Sequence, residues 1–141
     1  MKTRIEILGN YLEEILEELN DKYKRINADF LGLEINNYSL DKIPAESTVE
    51  KWVIGGKICR DVYSFRSRNP YSSNRIDNLK NIGFFEEFEK TINSNNNKGK
   101  LPEIENIESI ECLNCGTFNS ADPSEKTAEF DIQLQVTYRE D

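Results

Sequence analysis

A chain of 141 residues, 37% hydrophobic and 31% charged, fits one domain over residues 1–141 that can bury roughly two-thirds of its unfolded surface. Its 26 acidic and 18 basic residues leave a net charge of −8, which argues against nucleic-acid binding by phosphate neutralisation, a mode that needs clustered Lys and Arg. With no histidine the chain lacks the commonest general base and neutral metal ligand, and its three cysteines, without a signal-peptide pattern, fit a reducing, cytoplasmic setting.

In chain order, residues 3–20 predict an amphipathic helix. Ile5, Leu8, Leu12, Ile15, Leu16 and Leu19 recur at helical spacing, and Glu6, Glu13, Glu14, Glu17 and Glu18 make the opposite face acidic. Leu31, Leu33 and Ile35 alternate with Gly32, Glu34 and Asn36, which predicts a short strand with one buried face. Residues 41–44 (DKIP) predict a turn. Two β-rich runs, 49–54 and 57–67, flank Gly55-Gly56 and predict a hairpin. In the second run Tyr63 and Phe65 share one face, and Ile58 and Val62 the other, so that strand is expected at the centre of its sheet.

Asn69-Pro70 ends the strand, and Ser72, Ser73 or Asn74 can cap a following helix. Ile76, Leu79, Phe84, Phe85, Phe88 and Ile92 form its apolar stripe, and Gly83 predicts a kink or two short helices. Residues 93–100 (NSNNNKGK) predict a polar, mobile loop, from which Leu101-Pro102 returns to the body. Residues 109–118 and 127–139 predict two strands joined by a turn or longer loop at residues 121–124. In the last, Phe130, Ile132, Leu134, Val136 and Tyr138 share one face and Asp131, Gln133, Gln135, Thr137 and Arg139 the other. The predicted class is therefore α+β: a mixed, mainly antiparallel sheet of about four to five strands, packed on an N-terminal helix and a kinked central helix.

No pattern here is catalytic. Neighbouring acids such as Glu13-Glu14, Glu17-Glu18 and Glu86-Glu87 point in different directions from a helix, unlike a glycosidase pair. Cys112-Leu113-Asn114-Cys115 is a CxxC, but it falls in strand surroundings, away from the helix start that lowers a thiol pKa. Cys59 is the only further soft ligand, so Cys59, Cys112 and Cys115 are weak metal candidates and no metal or other cofactor is expected. Arg60, Arg66, Arg68 and Arg75 form a basic island among Tyr63, Phe65 and Tyr71. The acidic balance favours pairing of these arginines with carboxylates, within the chain or on a neighbouring subunit. Glutamines leave the polar face of the last strand neutral enough to lie against another subunit. Interface candidates are therefore Arg60, Arg66, Arg68, Tyr71, Arg75, Gln133, Gln135 and Arg139. No stretch approaches the roughly 20 apolar residues of a membrane span.

The order VIGGKICRDVYSFRSRNPYS, NLKNIGFFEEFEKTI, KGKLPEI, AEFDIQLQVTYRE resembles the phage minor capsid and tail-terminator (tail-completion) proteins of Gram-positive phages and prophages. The resemblance spans about residues 49–140. Its most specific pieces are Phe65-Arg66-Ser67-Arg68, the GFFEEFE helix, the Leu101-Pro102 re-entry and the alternating last strand. It implies an α+β fold and a non-enzymatic virion protein, assembled in the bacterial cytoplasm. Such subunits close into a ring, commonly a hexamer, on the head-proximal end of the tail tube. The ring stops tube polymerisation and joins tail to head. Implied partners are further copies of the chain, the tail-tube protein and the head–tail connector or neck protein, with DNA passing through an acidic lumen. The arginine island and the acidic first helix are a candidate pair of contact patches. Other expectations are a different neck or tail component, such as a head-completion or tube protein, or a thiol-redox or metal module at the CxxC. The CLNC element has no counterpart in the family pattern.

Overall fold

A computed structural model describes residues 2–19, 25–28, 37–43, 52–53, 56–70, 75–114, 116–122 and 127–140. Two helices, α1 (Arg4–Glu18) and α2 (Arg75–Lys98), accompany seven strands: β1 (Arg25–Ala28), β2 (Asn37–Lys42), β3 (Trp52–Val53), β4 (Gly56–Pro70), β5 (Ile107–Cys112), β6 (Thr117–Asp122) and β7 (Thr127–Glu140). All seven belong to one sheet in the order β1-β2-β4-β7-β5, with β3 also beside β4 and β6 also beside β7. Only β1–β2 is parallel; every other pair is antiparallel. The fold is thus α+β with a mixed, mainly antiparallel sheet, five strands across.

The two long central strands follow from their alternation. β4 and β7 pair from Lys57↔Glu140 to Pro70↔Thr127. Cys59, Tyr63 and Phe65 on β4 and Phe130, Ile132, Leu134, Val136 and Tyr138 on β7 are buried on one face. Both helices pack on that face. Leu8, Tyr11, Leu12, Ile15 and Leu16 of α1 and Phe85, Phe88 and Ile92 of α2 join the same core. Fully burying each Leu, Ile or Phe stabilises by about 1.5–3 kcal/mol. Phe65 stacks between Tyr38 and Phe88, with ring centroids 5.1 and 5.4 Å away. Thr3 caps α1: its hydroxyl accepts the Glu6 N–H at 3.3 Å.

Several expectations change. Gly83 does not divide α2, which runs unbroken for 24 residues and through the Asn-rich stretch to Lys98. Tertiary bonds override the poor helix propensity of those asparagines. The Asn95 amide donates to the Tyr11 hydroxyl (3.3 Å), which donates to the Lys100 carbonyl (2.8 Å), and Asn96 Oδ1 accepts the Ile110 N–H (3.1 Å). The helix ends in a Schellman turn at Gly99 (φ 75°), with Lys100 N–H donating to Asn95 O and Gly99 N–H to Asn96 O. Asp41 and Lys42, read as a turn, complete β2, and the Ile43 N–H still bonds the Val62 carbonyl. Gly56 opens β4 opposite Val53. Strand β1 had no sequence signal. The alternation at residues 31–35, Tyr71 and the capping residues 72–74 lie outside the described residues.

Candidate functional site

The helices leave the second face of the sheet uncovered by any helix among the described residues. On it lie Ile58, Arg60, Val62, Ser64, Arg66 and Arg68 of β4, opposite Arg139, Thr137, Gln135, Gln133, Asp131 and Glu129 of β7. All but the buried Thr137 and exposed Arg139 are half-buried. So the structure brings six predicted residues, Arg60, Arg66, Arg68, Gln133, Gln135 and Arg139, onto one surface. It also separates the arginines from the aromatics interleaved with them, because Tyr63 and Phe65 point into the core. Arg75 stands apart at the start of α2, with its side chain outside the described residues.

Much of this face is paired within the chain. Arg66 uses all three guanidinium nitrogens: Nε donates to Asp41, Nη1 to Glu129 (3.3 Å) and Nη2 to the Ser39 hydroxyl (3.3 Å). Burial lowers its pKa, but the hydrogen bond and charge of Asp41, reinforced by Glu129, raise it further, so the net shift is upward. Ser64 donates to Asp131. Arg68 donates to the Thr127 hydroxyl at 3.5 Å, Gln135 Nε2 to Glu111 at 3.0 Å, and Arg139 lies 3.8 Å from Glu108. Of the two pairings open to Arg66, the structure shows the one within the chain, a bridge that ties β2, β4 and β7 together.

A second constellation was not foreseen. Asp61 sits on the core face of β4 with its side chain fully buried, and four donors from four elements converge on it. These are Arg4 Nε of α1 (2.8 Å), Lys42 Nζ of β2 (3.6 Å), Tyr63 OH of β4 (3.2 Å) and Tyr138 OH of β7 (3.4 Å). The Arg4 guanidinium also lies 4.7 Å from the centre of the Tyr138 ring. Above them opens a cleft of about 860 Å³, lined in part by Arg4, Lys42, Tyr63, Glu105, Tyr138 and Arg139. Burial, and then the Asp61 charge, pushes the Tyr63 phenol well up. The arrangement holds α1 to the sheet. The carboxylate's oxygens are taken up by two cations and two hydroxyls. One sequence signal was available: Asp61 is a charge in phase with Cys59, Tyr63 and Phe65, on the strand's apolar side.

The CxxC is a strand irregularity. β5 and β6 lie end to end along β7, with Cys112 opposite Leu134 and Thr117 opposite Asp131. Between them the Leu113 N–H bonds the Gln133 carbonyl (2.8 Å), and Asn114 Oδ1 accepts the Gln133 N–H (3.0 Å), standing in for the missing ladder. Gly116 (φ 74°) then passes over Phe85 so closely that a Cβ there would sit 2.5 Å from the ring. Cys112 is half-buried. Cys59 is buried across β7 and four residues along it, with Sγ 3.9 Å from Glu140, so the two sulfurs lie on the order of 15 Å apart. Cys115 lies outside the described residues. Among the described residues no group of three or more His, Cys, Asp or Glu is placed to hold a metal ion, and no helix is long and apolar enough to cross a membrane.

No family model matches this sequence, and no curated protein matches it.

Proposed function

We propose that the chain is a non-enzymatic assembly subunit of a phage or phage-like particle. In this reading its copies form a ring that caps the head-proximal end of the tail tube, stops tube growth and joins tail to head. The observation that carries it is a broad sheet face of neutral and internally paired side chains that no helix among the described residues covers. The order of parts along the sequence supports the phage context. Because Arg66 is engaged inside the chain, the contact falls to Ile58, Val62, Gln133 and Gln135, flanked by Arg60, Arg68 and Arg139.

The acidic outer side of α1, with Glu6, Glu14, Glu17 and Glu18 exposed, is the complementary patch on the opposite side of the sheet. Patches facing opposite ways would stack copies into an open filament. Sheet twist inclines them instead. At about 20–25° per step, the two to three steps from β2 or β1, where α1 packs, to β7 turn the sheet normal by roughly 40–75°. The two patches then face about 105–140° apart, and a six-membered ring needs about 120°.

Light scattering on the purified chain, alone and with tail-tube protein, tests the reading, together with electron microscopy of tails assembled without it. A ring-sized oligomer and overlong tubes are expected. A strict monomer that leaves tube length unchanged would overturn it, and tubes of normal length on unjoined heads would instead indicate a head-completion role.

A further inference from the structure

We infer that the outward side of α2 around Gly83 is a second self-association surface, on which a second copy docks antiparallel about a two-fold axis through Gly83. This is a different surface from the open sheet face and does not depend on the ring. Leu79 and Ile82 are 51% and 54% exposed although both are large and apolar. Gly83 follows them on the exposed side, with nothing within 4 Å of where a Cβ would stand. On a helix turning about 100° per residue, Leu79, Gly83 and Glu86 form one outward stripe with Ile82 on its flank. A bare backbone at Gly83 lets another helix approach closely, and the two exposed apolar side chains beside it, Leu79 and Ile82, give that approach its driving force.

The charges select the occupant. Lys80 and Glu87 are both exposed and seven residues apart, so they lie within about 20° of each other on the remaining flank. They straddle Gly83, three residues before it and four after. In an antiparallel crossing of two identical helices at Gly83, Lys80 of each copy meets Glu87 of the other, and Ile82 meets Ile82. A parallel crossing would instead set the Lys80–Glu87 flank of each copy against the Ile82 flank of the other. The stripe is therefore complementary to itself in one orientation. A patch of so few exposed side chains falls short of the roughly 800 Å² per partner of a stable interface, so the contact is weak and is populated at high protein concentration.

A symmetric disulfide tests this. Gly83 is helical and open, so Gly83→Cys leaves the fold intact and places two Cα atoms across the axis within the roughly 7 Å a disulfide spans. Lys90→Cys lies on the same stripe, but the two-fold would separate its copies by about 20 Å. Under mild oxidation of concentrated protein, Gly83→Cys should form covalent dimer at least about tenfold faster than Lys90→Cys, the native cysteines giving both the same background. Adding Lys80→Glu to Gly83→Cys should remove most of that advantage, and further adding Glu87→Lys should restore it. Equal rates at the two positions, no dimer at Gly83, or no rescue by the charge exchange would each overturn the inference, whether or not a ring forms.

Discussion

Replacing Asp61 by alanine removes the acceptor for four donors, and they do not suffer equally. Arg4 and Lys42 keep 42% and 43% of their side-chain surface in water, so both turn outward and rehydrate at little cost. Tyr63 and Tyr138 are 1% and 4% exposed, and their hydroxyls lose the Asp61 acceptor at the floor of the cleft. A buried polar group left without its partner costs about 1–3 kcal/mol, so two such groups, together with the lost anchoring of α1, place Asp61→Ala near 3–5 kcal/mol. With a urea dependence of about 2 kcal/mol per molar, the unfolding midpoint should fall by about 2 M.

The signature is a change of sign. Tyr63→Phe alone breaks a bond to Asp61 and should cost about 1 kcal/mol. In the Asp61→Ala background the same change deletes a stranded hydroxyl and should restore about 1 kcal/mol. Urea titrations of the four proteins, followed by far-ultraviolet circular dichroism, measure both. A midpoint for Asp61→Ala within about 0.5 M of the parent, or a Tyr63→Phe effect of the same sign in both backgrounds, would refute the account of Asp61 as the clamp beneath α1.

The phenols supply a pH prediction. Burial raises the pKa of Tyr11, and burial with the Asp61 charge raises that of Tyr63. The unfolded chain ionises near the ordinary value of about 10, so this contribution to stability is complete below that pH and is lost as pH climbs beyond it. Phenolate absorbance should show Tyr11 and Tyr63 ionising above the ordinary tyrosine range, and ionisation of all six tyrosines at the ordinary value in folded protein would contradict it. Gly116→Ala must adopt a positive φ and push on the Phe85 ring, a combined cost of about 2–4 kcal/mol by thermal or urea unfolding. Asn95→Ala gains helix propensity yet removes the amide's bond to the Tyr11 hydroxyl, which keeps its own bond to the Lys100 carbonyl, for a net loss of about 0.5 kcal/mol; the exposed Asn93→Ala should gain about 0.5 kcal/mol instead. Self-association in which the face flanked by Arg60, Arg68 and Arg139 meets the acidic side of α1 should weaken with salt and with Arg68→Glu, because salt screens that attraction. Strengthening with salt would instead assign the contact to the neutral strip of Ile58, Val62, Gln133 and Gln135 alone, between copies each carrying −8.

Much of the scaffold could be read from alternation. Phe130 to Tyr138 on β7, and Tyr63 and Phe65 on β4, lie on the predicted side, because one face of each strand packs on a core and the period of two is strict. What escaped the sequence is what another element decides. Asn95 and Asn96 read as a loop because their propensity is poor, and they are helical because Tyr11 and Ile110 supply partners 84 and 14 residues away. β1 carries only four residues and depends on β2 beside it for its ladder.

The same limit governs the candidate interface. Parity along β4 put Arg60, Arg66 and Arg68 on one face, but register decided what each arginine meets there. Asp41 of β2 and Glu129 of β7 flank Arg66, so the most conspicuous cation of the island is spent within the subunit. Val62 and Gln133, on the same face, carry no charge. Surface positions are free to serve a partner only after the fold has taken what it needs. On this sheet that leaves the less conspicuous residues, and substitutions at Val62 and Gln133 therefore separate assembly from folding where substitutions at Arg66 confound the two.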